Sequence, residues 1–237
     1  MEGALERRIL AIPTTKGRLF ELLLQRKTVR LFDPDNPMTE EELTTVLYYT
    51  FGCQGYKSLL PGVVGLHKTS PSGGALHPVE VYPLLLRACG VAAGLYHYDV
   101  ERHSLDLLRP LDRAEAEDLA ERFTMGQAYF RSAHVLFLLT ARFYRTFWKY
   151  RRDPKAYRVI HLDAGHLSQT LYLIAGELGL GAFFTGAVND INIEEVLGID
   201  GLEQGVIGIL GCGRPWKGGS PLGFEPEPYI PHKTKIE

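Results

Sequence analysis

The stretch Thr69–Tyr82, TSPSGGALHPVEVY, decides how the rest of the chain is read. It places two prolines, a serine, two glycines and a histidine directly ahead of VEVYPLLL, which reads as a strand from Val79. Gly73 and Gly74 expose backbone N–H groups, Ser72 adds a hydroxyl, and Pro71 and Pro78 stiffen the loop. Such a loop suits a flat ligand with polar edges. The same residues also fit a tight turn closed by a histidine hydrogen bond, because glycine and proline punctuate most loops.

Outward from this stretch, β patterns recur. GLYHYD from Gly94 and HSLDLL from His103, separated by a turn at Asp99–Arg102, predict a hairpin, so the sheet is at least partly antiparallel. AHVLFLLTA from Ala133 and GVIGILGCG from Gly205 predict two further strands, and AFFTGAV from Ala182 reads as a strand or extended segment. Gly55 to Ser70 reads as loop.

Helices are predicted over Lys16–Lys27, from a capping box of Thr39 and Glu42 as far as Gly52, and from Asp112 and Glu115 to about Phe123. The longest runs from about Tyr157 to Leu178. Its seam of Ile160, Ala164, Leu167, Leu171, Ile174 and Leu178 suits a partner helix, inside the chain or on a second subunit. A short helix capped by Asn192 is expected to end at Gly198. Beyond Pro215 periodicity fades, and no repeat or composition shift marks a second domain, so residues 1–237 read as one domain with a C-terminal extension at 215–237.

At 237 residues, 45% hydrophobic and 23% charged, the composition is that of an ordinary globular protein. A formal net charge of -2 argues against a dedicated nucleic-acid binder. Three scattered cysteines without a CxxC pair fit a reducing cytoplasm, and no apolar run is long enough for a membrane span or signal peptide, so a soluble cytoplasmic protein is expected.

Three segments carry candidate chemistry. In QRKTVRLF, Arg26, Thr28 and Arg30 alternate and can project together toward a phosphate, although a solvated helix end is the plainer reading; Arg214 in GCGRP is a similar candidate. HLDAGH invites a metal, but His161 and His166 stand five apart on a predicted helix, ~140° around its axis, so no metal site is expected. In TFWKYRRD, the ammonium of Lys149 would favour a phenolate at Tyr150, if the adjacent side chains meet.

In this order the segments resemble the FMN-dependent nitroreductase-like superfamily. Within it they resemble the SagB-type dehydrogenases that oxidise azoline rings in ribosomally made peptides, as in streptolysin S, cyanobactin and microcin-type maturation. The resemblance rests on RKTVRLF, TSPSGGALHPVEVY with GLYHYD, the helix containing DAGH with the GAFFTGAV that follows it, and GCGRP. It implies an α+β nitroreductase-like fold: a mixed, mostly antiparallel sheet flanked by helices, in an intertwined homodimer built around a long central helix. It also implies two FMN sites, each made from both subunits, and a tail able to wrap the partner.

By the same resemblance Arg26, Thr28, Arg30 and Arg214 would hold the phosphate and ribityl chain. Pro71, Ser72, Gly73 and Gly74, with Thr185 and Gly186, would line the isoalloxazine. Tyr150, assisted by Lys149, would take the proton from the ring carbon beside the carbonyl while hydride passes to the flavin. A cyclodehydratase and a precursor peptide are the implied partners, and nucleic acid and membrane are not. Little chain precedes the flavin segment, so either the cyclodehydratase delivers the substrate or the substrate is not a peptide. Two other readings stand beside this one: an NAD(P)H-dependent nitroreductase, flavin reductase or dehydroamino-acid reductase, and a non-catalytic subunit of a peptide-modifying complex.

Overall fold

A computed structural model describes residues 8, 10, 11, 13–60, 62–152 and 155–218. Strand residues alternate between two faces, and that alternation builds the centre of the fold. In β3 (Val79–Leu85), Val79, Val81 and Leu85 enter one apolar cluster, while Tyr82 and Leu84 enter another on the opposite face. β3 is joined to β4 (Gly94–Asp99), β5 (Ser104–Pro110), β6 (Val135–Arg142), β7 (Gly181–Thr185) and β8 (Gln204–Gly213) in the order β5-β4-β3-β6-β8-β7. Every pairing between these strands is antiparallel. A parallel bridge, Thr28 to Ala182, lays the segment after the first helix along β7.

On one face, α2 (Glu40–Phe51) and α5 (Ala156–Glu177) cover the cluster with Leu43, Val46, Leu47 and Phe51 from α2 and Ala164, Leu167 and Leu171 from α5. On the other, α3 (Arg113–Phe123) contributes Ala116, Leu119, Ala120 and Phe123, and α6 (Asp190–Leu197) contributes Ile193. α1 (Arg18–Gln25) and α4 (Phe143–Tyr150) both rest on α5.

Helix ends follow their capping residues. Both capping boxes form: Thr39 with Glu42, and Asp112 with Glu115. α6 is capped by Asn189, not Asn192, because Asn192 is the third helical residue and donates its N–H to the Asn189 side chain.

One further expectation is corrected. Gly55–Ser70 is not loop throughout: β1 (Gly55–Leu60) and β2 (Val63–His67) form an antiparallel hairpin. The α5 seam turns inward, with Ile160, Ala164, Leu167 and Leu171 buried in the protein's own core, so it is not the surface that meets a second subunit. The opposite face presents Leu162, Gly165, Gln169 and Gly176 to solvent. α4 had no counterpart in the sequence pattern. Of the extension at 215–237, Pro215 bridges to Phe32 and the Trp216 N–H donates to the Leu31 carbonyl, and residues past 218 lie outside the described residues.

Candidate functional site

The glycine loop is held to α5 by one buried carboxylate. Asp163 is 4% exposed; its Oδ2 accepts from the Ser72 hydroxyl at 2.6 Å and its Oδ1 from the Gly73 N–H at 2.9 Å. The Ser72 oxygen in turn accepts the His77 N–H at 2.9 Å, and the Pro71 carbonyl lies 3.1 Å from His166 Nδ1. The hydroxyl and N–H expected to face a ligand at Ser72 and Gly73 are therefore directed to Asp163, because a buried carboxylate requires donors.

This loop is conformationally costly. Gly74 has φ 67, and the non-glycine residues Ala75 and His77 have φ 58 and 44, a region that costs roughly 1–3 kcal/mol for each such residue. The β1–β2 hairpin helps to hold it, since His77 Nε2 lies 3.2 Å from the Leu66 carbonyl. Gly73 packs so closely on α5 that an added Cβ would lie 2.1 Å from Val159 Cγ1.

Lys149 and Tyr150 close over the same loop. Adjacent helical side chains diverge by ~100°, yet a Cβ built on Gly74 would sit 2.6 Å from Lys149 Nζ and 3.0 Å from Tyr150 OH. Lys149 Nζ also reaches the Gly74 carbonyl at 3.4 Å and stands 5.9 Å from the Tyr150 ring centroid. One turn earlier on α4, Arg145 donates to the His77 carbonyl at 3.2 Å.

The basic segment lies farther along α5. Arg26 stacks over the Tyr172 ring at 5.3 Å, Thr28 Oγ1 hydrogen-bonds Tyr172 OH at 3.1 Å, and Tyr172 OH accepts the Phe184 N–H. Arg30 is half-buried between Thr28 and the Leu31–Trp216 contact. Arg214 follows β8, and its NH2 group donates to both oxygens of Glu42 at 2.9 and 2.8 Å. Burial raises the Glu42 pKa, but hydrogen bonds from Thr39 and Arg214 more than offset it and leave it below the usual value. Arg214 Nε is buried and makes no hydrogen bond among the described residues. Thr185 Oγ1 accepts the Ala187 N–H, and around Gly186 an added Cβ would meet nothing within 4 Å.

Beneath the loop lies a cavity of about 480 Å³. Its wall includes buried Glu80, contacted by His97 at 3.2 Å, Arg142 at 3.3 Å and Arg145 at 2.7 Å. Burial pushes the Lys68 ammonium in this wall down to about 8.

Two groups of candidates thus stand on one helix. Asp163 and Tyr172 are about 13 Å apart along α5 at 1.5 Å per residue. The loop and Lys149–Tyr150 gather near Asp163; Arg26 and Thr28 gather at Tyr172. His161 faces the Tyr157 carbonyl and His166 the Pro71 carbonyl, and no cluster of metal-ligating residues occurs among the described residues. Sequence reasoning missed Asp163 and Tyr172. For Asp163 the DAGH segment was a visible signal, a carboxylate among apolar helix positions.

This sheet, with a basic segment along its edge and a strained glycine loop on its long helix, defines a nitroreductase-type oxidoreductase. The chain belongs to the nitroreductase family, whose model matches residues 23–214. It is 32% identical over 182 residues to MJ1384 of Methanocaldococcus jannaschii, a protein named as a nitroreductase; the match covers 77% of this chain and 85% of that one. It is 30% identical over 166 residues to the trifolitoxin-processing protein TfxB of Rhizobium leguminosarum bv. trifolii, covering 70% of this chain and 44% of TfxB. Among solved structures, a nitroreductase-type protein of Anabaena variabilis matches with a TM-score of 0.68 and 28% identity, covering 84% of this chain and 38% of that one. The chain thus spans less than half of TfxB and of the Anabaena protein.

Members of this family use flavin cofactors. The residues present fit one: the buried Arg214 Nε, which makes no hydrogen bond among the described residues, suits a phosphate oxygen, and the open space at Gly186 leaves room for a flat ring.

Proposed function

We propose that the protein is an FMN-dependent dehydrogenase that oxidises azoline rings to azoles in a ribosomally made peptide. The observation that carries this reading is the meeting of Lys149 Nζ and Tyr150 OH at Gly74, on the loop assigned to the flavin ring. Likeness to a protein named for trifolitoxin processing supports a peptide substrate. When bound, FMN supplies the hydride acceptor. Arg26, Thr28, Arg30 and Arg214 hold its phosphate end, and the Pro71–Gly74 loop with Thr185 and Gly186 borders its ring. Tyr150 accepts the proton from the ring carbon beside the carbonyl, and Lys149 stands next to it over Gly74. The buried Asp163 carboxylate fixes the loop beneath this pair.

The protein acts as a cytoplasmic homodimer, a single FMN-binding domain whose tail reaches the partner subunit, with a cyclodehydratase supplying the substrate. The exposed face of α5, with Gly165 at its centre, and the exposed Leu19, Leu23 and Leu24 of α1 are the surface a second subunit would cover. In such a dimer the loop of one subunit and the basic segment of the other complete each site.

Tyr150→Phe tests the chemistry. Turnover of an azoline peptide should fall at least about 100-fold, the scale of lost general-base catalysis, with FMN still bound; near-normal turnover would show that the proton goes elsewhere. Likeness to MJ1384 favours a second reading, an NAD(P)H-driven reductase, which predicts rapid anaerobic reduction of the flavin by NADPH.

A further inference from the structure

Residues Arg142–Arg152 read RFYRTFWKYRR, a run with Arg142, Arg145, Lys149, Arg151 and Arg152 and no acidic residue, in a chain of net charge -2. In the fold these cations project around α4 alongside aromatic side chains that are not buried. Tyr144 is 74% exposed and Trp148 is 48% exposed. Hollows border the helix along its length. One of about 620 Å³ opens between Phe143, Tyr144 and Phe147 on α4 and the Leu202–Gln204 segment. Another of about 510 Å³ is lined by Lys149, Tyr150, Arg151 and Arg152. Glu80 faces Arg142 and Arg145, and Glu203 lines the larger hollow; among the described residues no carboxylate lines the end at Arg151 and Arg152, and Asp153 follows them in sequence.

We propose that this face of α4 is the docking track for an acidic segment of the peptide substrate, one that sets aspartate or glutamate next to apolar residues within about four positions of the reacting ring. The inference rests on the peptide-dehydrogenase reading and adds to it the class of peptide. Arginine forks bind carboxylates in their own plane, and exposed aromatic faces accept the apolar residues between them. The scale follows from geometry: α4 spans about 12 Å, the reach of roughly four extended residues. The hollow that holds Tyr150 is continuous with Arg151 and Arg152, so a ring at Tyr150 brings its acidic neighbour to those guanidinium groups.

The test separates docking from chemistry by using peptides without an azoline. Two fluorescein-labelled peptides of equal length, one with Asp and Glu beside Leu and one with Asn and Gln in their place, are titrated with the full-length flavin-loaded protein and followed by anisotropy. The acidic peptide should bind about tenfold more tightly at low salt, an advantage that shrinks as salt screens the charges. Arg151→Glu with Arg152→Glu should abolish the preference while the flavin spectrum and melting temperature stay as they were. Equal affinity for the two peptides overturns the proposal, as does a preference that survives charge reversal. Tighter binding of a single-stranded oligonucleotide than of the acidic peptide also overturns it, by making the track a nucleic-acid site. Tyr150→Phe should retain the preference, so failure of the dehydrogenase reading and failure of the docking track are distinguishable.

Discussion

Asp163 shows how much of the site depends on one side chain. Its two oxygens take the Ser72 hydroxyl and the Gly73 N–H, and both donors lose their partner in Asp163→Ala. We expect that variant to lose about 3 kcal/mol of stability by denaturant titration and to purify with less flavin. His134 gives a pH signature at the same scale. Buried between the Met38 N–H and the Asp33 carbonyl, it is pushed down to about 4, first by burial and then by the nearby Arg87 and Arg214 charges. Between pH 6.5 and 4 the unfolded chain binds the proton that the folded protein refuses, so stability falls as pH drops through that window, by roughly 3 kcal/mol in full. Denaturation at pH 7 and pH 4.5 should show this fall, and His134→Gln should flatten it.

At the scale of elements, the capping box of α2 joins helix stability to the site, because Glu42 accepts the Thr39 N–H and also grips Arg214. Thr39→Ala should cost about 1 kcal/mol, read as a shift in the denaturation midpoint. That box was legible in advance, as were β3, β6 and α5, because capping spacing and hydrophobic period are local properties of the chain. α4 was not: it is only eight residues long, mostly aromatic or basic, so its period does not stand out in the sequence, and the helix is held by tertiary contacts such as Phe143 against Tyr157 at 5.8 Å. The β1–β2 hairpin was missed although Pro61-Gly62 is a turn signal, since its short strands lack clean alternation. The convergence of Lys149 and Tyr150 on Gly74 joins positions 75 residues apart, a separation no local pattern encodes.

For the whole molecule, the inward seam of α5 leaves its opposite face exposed, open to the proposed second subunit. Gly165 lies on that face with nothing within 4 Å of an added Cβ, so Gly165→Trp should leave the protomer's fold intact by circular dichroism. It should nevertheless yield a monomer by light scattering, with flavin lost, on the proposal that each site is built from both subunits. A dimer that keeps its flavin would contradict the shared sites. The central claim is tested most directly by the visible spectrum of the flavin-loaded protein under anaerobic conditions, mixed in turn with an azoline peptide and with NADPH. An azoline dehydrogenase built around Tyr150 should have its flavin band bleached by the peptide, in the wild type and not in Tyr150→Phe, and left oxidised by NADPH. Rapid bleaching by NADPH, with none by the peptide, would contradict it and make the protein a nicotinamide-driven reductase.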